Sequence, residues 1–256
     1  MSIDQNRDFM KCAPFAAEMA KSDQQNGVDA PPVNKASLGS DVIKLPSFEG
    51  IAINDSYTNL LNIRRSEREY NDQIPMTQAQ LAYMLHTAMS IQEYRGVGNV
   101  GTLRPAPSGG ARHPFELYIA VKNVQGLTPG MYHYLPLEDV GKPAATIEYI
   151  GPIVDYDTTV SNMALGQKWA ASAPCMLIFS CVPYRAEWRY RLLSHRIMLV
   201  DLGHVGQNVM LSAAALGLGS CCIGAYDQTI CDRVLGFDGK NEFTAYCVSV
   251  GAPVVH

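Results

Sequence analysis

The sequence has no CxxC pair, no HExxH and no His, Cys or acidic residues at metal-ligand spacing, so no metal site is expected. It also lacks an apolar run long enough to span a bilayer, which argues against a membrane role. Charged residues are sparse, at 17%, and the formal net charge is −4. That balance is unlike a general nucleic-acid binder, which shows a broad basic excess. The first eleven residues carry Asp4, Arg7, Asp8 and Lys11 where a signal peptide would have an apolar core. The seven cysteines are an odd number, and Cys175, Cys181 and Cys247 lie inside apolar runs as buried thiols would. A cytoplasmic location is expected.

What the chain does have is apolar content of 47% over 256 residues, enough to bury a substantial core. Residues 1–50 are polar and punctuated by Gly27, Pro31, Pro32 and Pro46, without sustained periodicity. They read as an extended arm docking on the body or on a partner subunit, with disorder as the alternative. Residues 51–256 read as a single domain. Thr77 to Gln80 has capping-box spacing ahead of a helix with Leu81, Met84, Leu85 and Ala88 on one face. Phe115, Leu117, Ile119 and Val121 alternate as in a strand with one face buried, and 131–134 should pair with it as a hairpin. Residues 174–182 suit a central strand, and 245–250 another buried one. Between them a long helix should bury Leu199, Leu202, Val205, Val209, Ala213 and Leu216 and end at Gly217. The expected class is α+β, with helices around a mainly antiparallel central sheet.

Gly96 to Gly101 matches GxGxxG, but it follows a helix and runs into Pro105 and Pro107. A dinucleotide fingerprint follows a strand and opens a helix, so this stretch reads as a flexible loop instead. Three other segments carry candidate chemistry. Arg64, Arg65, Ser66 and Arg68 put three guanidinium forks and a hydroxyl in five positions, which suits an anion. Pro107, Ser108, Gly109 and Gly110 form a loop whose glycines let backbone approach a flat ligand. Gly217 to Gly224 places Gly219, Cys222, Ile223 and Gly224 between a helix end and an extended segment. Each has an ordinary reading too: a solvated helix end, a proline-rich turn and a helix cap.

In this order the segments resemble the FMN-dependent nitroreductase family, and within it the SagB-type branch of azoline dehydrogenases. The pieces are Arg-Arg-Ser-x-Arg-x-Tyr at 64–70, Pro-Ser-Gly-Gly-Ala-Arg-His-Pro at 107–114, Pro-Gly-x-Tyr-His-Tyr at 129–134, and Asp201-x-Gly203-His204-x-x-Gln207-Asn208 leading into Leu216 to Gly219. The resemblance implies FMN on Arg64, Arg65, Ser66 and Arg68, with Gly219, Cys222, Ile223 and Gly224 against the ring. It implies that Pro107 to Gly110 reach the flavin of a neighbouring subunit, hence an intertwined homodimer. It implies NAD(P)H or another donor as reductant and a small-molecule acceptor. Two alternatives remain: oxidation of peptide thiazolines or oxazolines, and a non-catalytic FMN-binding subunit.

Two departures from the family pattern matter. A Trp-Lys-Tyr stretch tied to azoline catalysis corresponds to Trp188, Arg189 and Tyr190 here. Arginine keeps its charge and is a poor proton acceptor, so Tyr190 is the better candidate for proton transfer and Arg189 for charge. The basic residue that many nitroreductases place near the C-terminus is missing, which shifts the phosphate load to Arg64 and Arg68. His204 could face the site, although a satisfied structural role is the expectation for it and for His195.

Overall fold

The computed structural model describes residues 2–11, 20–39 and 41–254. A seven-stranded sheet runs through the molecule in the order β1-β6-β5-β4-β7-β9-β8, and every pairing in it is antiparallel. Its strands are β1 (Val42–Lys44), β4 (Phe115–Val121), β5 (Gly130–Tyr134), β6 (Thr146–Gly151), β7 (Cys175–Cys181), β8 (Gly219–Ile223) and β9 (Phe243–Gly251). A separate hairpin joins β2 (Glu93–Arg95) to β3 (Gly101–Leu103).

The pleat sorts the central strands between two cores. Phe115, Leu117, Ile119 and Val121 of β4, with Cys175, Leu177 and Phe179 of β7, face α3 (Gln78–Met89) and α7 (Ser194–Ala215). Tyr118, Ala120, Met176 and Ile178 face α4 (Tyr156–Met163), α5 (Lys168–Ser172) and α8 (Gln228–Leu235). Helices therefore cover both sides of the sheet, as the α+β class requires. Each fully buried Leu or Phe in these layers contributes about 1.5–3 kcal/mol. Strand β4 is buried along its whole length, not on one face as its alternation suggests. Its second face is polar or small because it holds a buried ion pair: Glu116, 0% exposed, meets Arg185 and His133.

That network also holds residues 33–38. Asn34 Nδ2 and the Lys35 N–H donate to Glu116, and Ser37 Oγ and the Leu38 N–H donate to Glu148. Further upstream, Gln24 N donates to the Trp188 carbonyl at 3.0 Å, and Trp188 Nε1 donates to the Val28 carbonyl at 2.9 Å. A short helix α1 (Ile3–Met10) stands apart with no buried residue. Its periodicity is weak, but a Ser2–Gln5 capping box and the pairs Asp4–Arg7 and Asp8–Lys11 favour it locally. No helix among the described residues is long and apolar enough to cross a membrane.

Two expectations need correction. Gly96 to Gly101 follows a short strand and not a helix: residues 96–100 turn β2 into β3, and Arg95 pairs with Gly101. Leu199 is not on the inner face of α7: it is 57% exposed, because the buried stripe runs through Met198, Asp201, Leu202, Val205 and Val209. The end of α7 follows expectation. Gly217 adopts φ +70°, the Leu218 N–H donates to the Ala213 carbonyl at 2.8 Å, and the Gly217 N–H donates to that of Ala214 at 3.1 Å.

Candidate functional site

Helix α2 (Tyr57–Ile63) ends at Arg64, so the arginine cluster is carried on extended chain instead of on the helix. Ser66 bridges Ser220 in parallel, and the Glu67 N–H donates to the Ser220 carbonyl at 2.9 Å, which ties the cluster to β8. The fit is close at Gly219, where a Cβ would lie 2.6 Å from Glu67 Cγ. Strand β8 is the edge of the sheet, and only this bridge meets its outer side among the described residues.

Arg64 lies close enough to act electrostatically on Cys222, and Arg68 on Cys221. Arg68 also sits over the Trp169 ring at 5.7 Å. Arg65 Nη1 donates to the Asn62 and Arg64 carbonyls, both at 2.8 Å. None of the three forms an ion pair among the described residues. A cleft of about 250 Å³ opens here between Arg64, Arg65, Met210, Gly217, Gly219 and Pro253. At the far end of β8, Gly224 is exposed and a Cβ there would meet nothing within 4 Å. The Glu67 carboxylate also lines this cleft and accepts the Arg68 and Glu69 N–H groups at 2.9 and 3.1 Å, while the arginines and glycines around it fit a phosphate carried on a flat ligand. Burial pushes the Cys221 and Cys222 thiols up, so both stay protonated near neutrality, and Cys222 acts by packing.

The Pro107 to Gly110 loop assembles at the other end of α7. Ser108 Oγ and the Gly109 N–H both donate to Asp201 Oδ2, at 2.7 and 3.0 Å. Ser108 Oγ in turn accepts from the His113 N–H at 3.0 Å. Helix α6 (Tyr184–Tyr190) brings up its last two residues against the loop. A Cβ on Gly110, whose φ is +62°, would lie 2.6 Å from Tyr190 Oη and 3.0 Å from Arg189 Nε. One on Gly109 would lie 2.5 Å from Ile197 Cγ2. Ala111, His113 and Arg191 hold positive φ without being glycine, which concentrates backbone strain around this loop.

The proposed residues therefore form two groups in one chain. Strand β8 runs along α7, so that a Cβ on Gly206 would lie 3.6 Å from Cys222 Sγ, but Arg64, Arg65 and Ser66 meet Gly219 and Ser220 at the C-terminal end of the helix. Ser108, Gly109 and Gly110 join Arg189 and Tyr190 at the other. Asp201, which holds the loop, and Met210, which lines the cleft beside Arg64 and Arg65, are nine positions apart on α7, about 14 Å at the α-helical rise.

The Nitroreductase family model matches residues 61–252, three quarters of the chain. The chain belongs to the nitroreductase family.

Within the family, it is 34% identical over 189 residues to a protein named as a nitroreductase, MJ1384, of Methanocaldococcus jannaschii, covering 73% of this chain and 86% of that one. It is 26% identical over 142 residues to the microcin B17-processing protein McbC of Escherichia coli, covering 54% of this chain and 50% of that one. The latter agrees with the SagB-type resemblance. A crystal structure of a protein named as a nitroreductase from Ralstonia eutropha JMP134 superposes with a TM-score of 0.64 at 21% identity, covering 86% of this chain and 93% of that one. This nitroreductase-family fold accounts for the sheet and the helices that position both groups.

Asp201 is the site residue that the sequence reading passed over. Its position was legible, since an acidic residue in the buried stripe of α7 needs partners, and at 6% exposure it finds them in the loop. Burial pushes its carboxyl up, against the pull of Ser108 and Gly109. His204 is exposed on α7, near enough to Asp201 to act on it electrostatically. His195 has a structural partner, with Nε2 2.7 Å from Glu187 Oε1.

Proposed function

We propose that this nitroreductase-family protein is an FMN-dependent oxidoreductase whose sites are shared by two copies of the chain. The observation that carries the reading is the separation of the arginine cluster and the Ser108 loop to opposite ends of α7. In this reading the cluster and the loop of one copy serve different sites, and a second copy supplies the loop to each cluster. The surface of α7 is suited to that copy, with Leu199 and Val200 57% and 53% exposed next to Gly203. A Cβ on Gly203 would meet nothing within 4 Å, so another helix can approach closely.

In this reading Arg64, Arg65 and Arg68 bind the phosphate and ribityl end with Ser66, while Gly219, Cys222, Ile223 and Gly224 line the ring. Asp201 fixes the Pro107 to Gly110 loop. A bound FMN would supply two-electron redox chemistry between NAD(P)H or another donor and a small-molecule acceptor. Tyr190 is the group that donates or relays a proton, and the Arg189 guanidinium binds through its planar fork. The free state of all six described cysteines suits a cytoplasmic protein.

The likeness to a microcin-processing protein favours a second reading, in which a bound peptide azoline is oxidised and the electrons leave to another acceptor. Arg189 in the lysine position weighs against it. Anaerobic addition of NADH or NADPH to the purified protein separates the readings. Bleaching of a flavin band near about 450 nm supports the reductase. A yellow protein bleached by neither nucleotide points to azoline chemistry or a non-catalytic flavoprotein. A colourless protein that takes up no FMN removes all three.

A further inference from the structure

Where the loop at 107–114 meets α6, the chain gathers more positive charge than it neutralises. Arg112, Arg185, Arg189 and Arg191 converge there, and only Arg185 has a carboxylate, that of Glu116. Among the described residues none of the other three forms an ion pair. Arg112 is 1% exposed; it donates through Nε to the Arg185 carbonyl at 2.6 Å and lies over the Trp188 ring at 4.8 Å. Its Nη1 is buried and has no hydrogen-bond partner among the described residues. Burial, then Arg185 and Arg189, push the Arg112 guanidinium down to about 10. The nearby acids are engaged elsewhere: Glu187 with His195 at 2.7 Å, and Asp23 with the Tyr184 hydroxyl at 2.8 Å.

This charge borders a cavity of about 340 Å³, between the turn at 22–25 and the end of α6. Arg189, Tyr190 and Arg191 form one wall, and Ser22, Gln24 and Gln25 the other. Arg189 and Arg191 are half-buried. Arg189 lies 5.5 Å from the Tyr190 ring, and Arg191 Nη1 makes one protein contact, to the Ala20 carbonyl at 2.9 Å. Among the described residues these partly desolvated guanidinium groups have no counter-charge, which is costly, and a ligand bearing an oxyanion removes that cost. The planar fork of arginine matches a carboxylate or phosphate with two parallel hydrogen bonds.

We propose that this cavity binds a ligand bearing an oxyanion, a carboxylate or a phosphate held by Arg189 and Arg191, with the turn at 22–25 as its opposite wall. The inference rests on the reading that puts Tyr190 at the reacting end of the site. It gives the arginine that stands at position 189 in place of lysine a purpose, since its planar fork anchors an anion with two hydrogen bonds. The ligand is then either an acidic substrate or the phosphorylated form of the nicotinamide donor.

Equilibrium dialysis of the protein as purified distinguishes these with two matched pairs of probes. One pair is 4-nitrobenzoate against neutral 4-nitrobenzyl alcohol; the other is NADPH against NADH. The wild type should favour the more anionic member of one pair by roughly tenfold, as expected for a charge-assisted bidentate contact. Arg189→Gln and Arg191→Gln should each abolish that preference, and Arg191→Gln guards against a local fold defect in the other variant. A lost preference for nitrobenzoate identifies a carboxylate substrate, and a lost preference for NADPH identifies the nicotinamide phosphate. Equal binding within both pairs, or a preference that survives in both variants, overturns the proposal. Because binding is read without turnover, a protein that NAD(P)H does not reduce still tests the cavity.

Discussion

Ser108 Oγ lies 2.7 Å from Asp201 Oδ2, and this contact fixes the Pro107 to Gly110 loop to the long helix. The same carboxylate oxygen also accepts the Gly109 N–H at 3.0 Å, so one buried acid sets the position of two successive loop residues. Asp201→Ala leaves both donors without an acceptor and should cost about 1–3 kcal/mol in urea unfolding. Asp201→Asn keeps one acceptor oxygen and should recover part of the loss. If Asp201→Ala matches the wild type in stability and activity, the contact does not position the loop.

Gly110 is constrained twice, by its φ of +62° and by Tyr190 Oη 2.6 Å from where a Cβ would stand. Gly110→Ala should therefore cost about 1–2 kcal/mol from the left-handed backbone alone, with a further loss from the contact. In a Tyr190→Phe background the hydroxyl is gone, so the contact loss should shrink to what Arg189, 3.0 Å away, imposes, while the backbone loss stays. Equal costs in the two backgrounds would show that Gly110 and Tyr190 are not in contact.

The Glu116 carboxyl is held at about 2: burial raises it, but the Arg185 guanidinium and then the His133 hydrogen bond outweigh that effect. A depressed carboxyl stabilises the fold fully above its unfolded value of 4.5, and the contribution is lost as pH falls toward 2. Glu116→Gln should cost about 3–5 kcal/mol near neutrality, because it leaves Arg185 buried and unpaired. It should also flatten the fall in stability between pH 4.5 and 2, measured by thermal melts across that range. An unchanged acid limb would assign the fall to other carboxylates.

Arg68 forms no ion pair among the described residues and stands over Trp169 at 5.7 Å. On the proposed reading, Arg68→Ala should weaken FMN binding about tenfold or more, the scale of a hydrogen bond to a charged group. Fluorescence titration of the apo-protein with FMN checks this. Unchanged affinity would remove Arg68 from the cofactor site.

The elements legible in the sequence were those whose cause is local. The Thr77 capping box, the Gly217 helix end and the apolar run of β7 each appear as read. Strand β4 misled because its second face is buried by partners distant in sequence, with Asn34, His133 and Arg185 all meeting Glu116. Leu199 misled because it is apolar but lies off the stripe through Met198 and Leu202. The hairpin around Gly96 to Gly101 misled because its strands are only three residues long. For the candidate site, the motifs identified the residues but not their grouping. Nothing in the order 64–68, 107–110, 219–224 says that the middle segment lies with Arg189 and Tyr190, away from the other two. That grouping is set by α7, whose length separates the two ends.

The central claim is that each site is built from two copies, and a mixing experiment tests it most directly. An Arg64→Ala/Arg68→Ala variant loses the cluster, and a Gly110→Arg variant loses the loop, so each alone should show little FMN reduction by NAD(P)H. Co-expressed, random pairing should make half the dimers mixed, with one intact site of two in each, and restore about a quarter of wild-type activity. Activity in the isolated mixed dimer no higher than in the two parents would contradict a shared site.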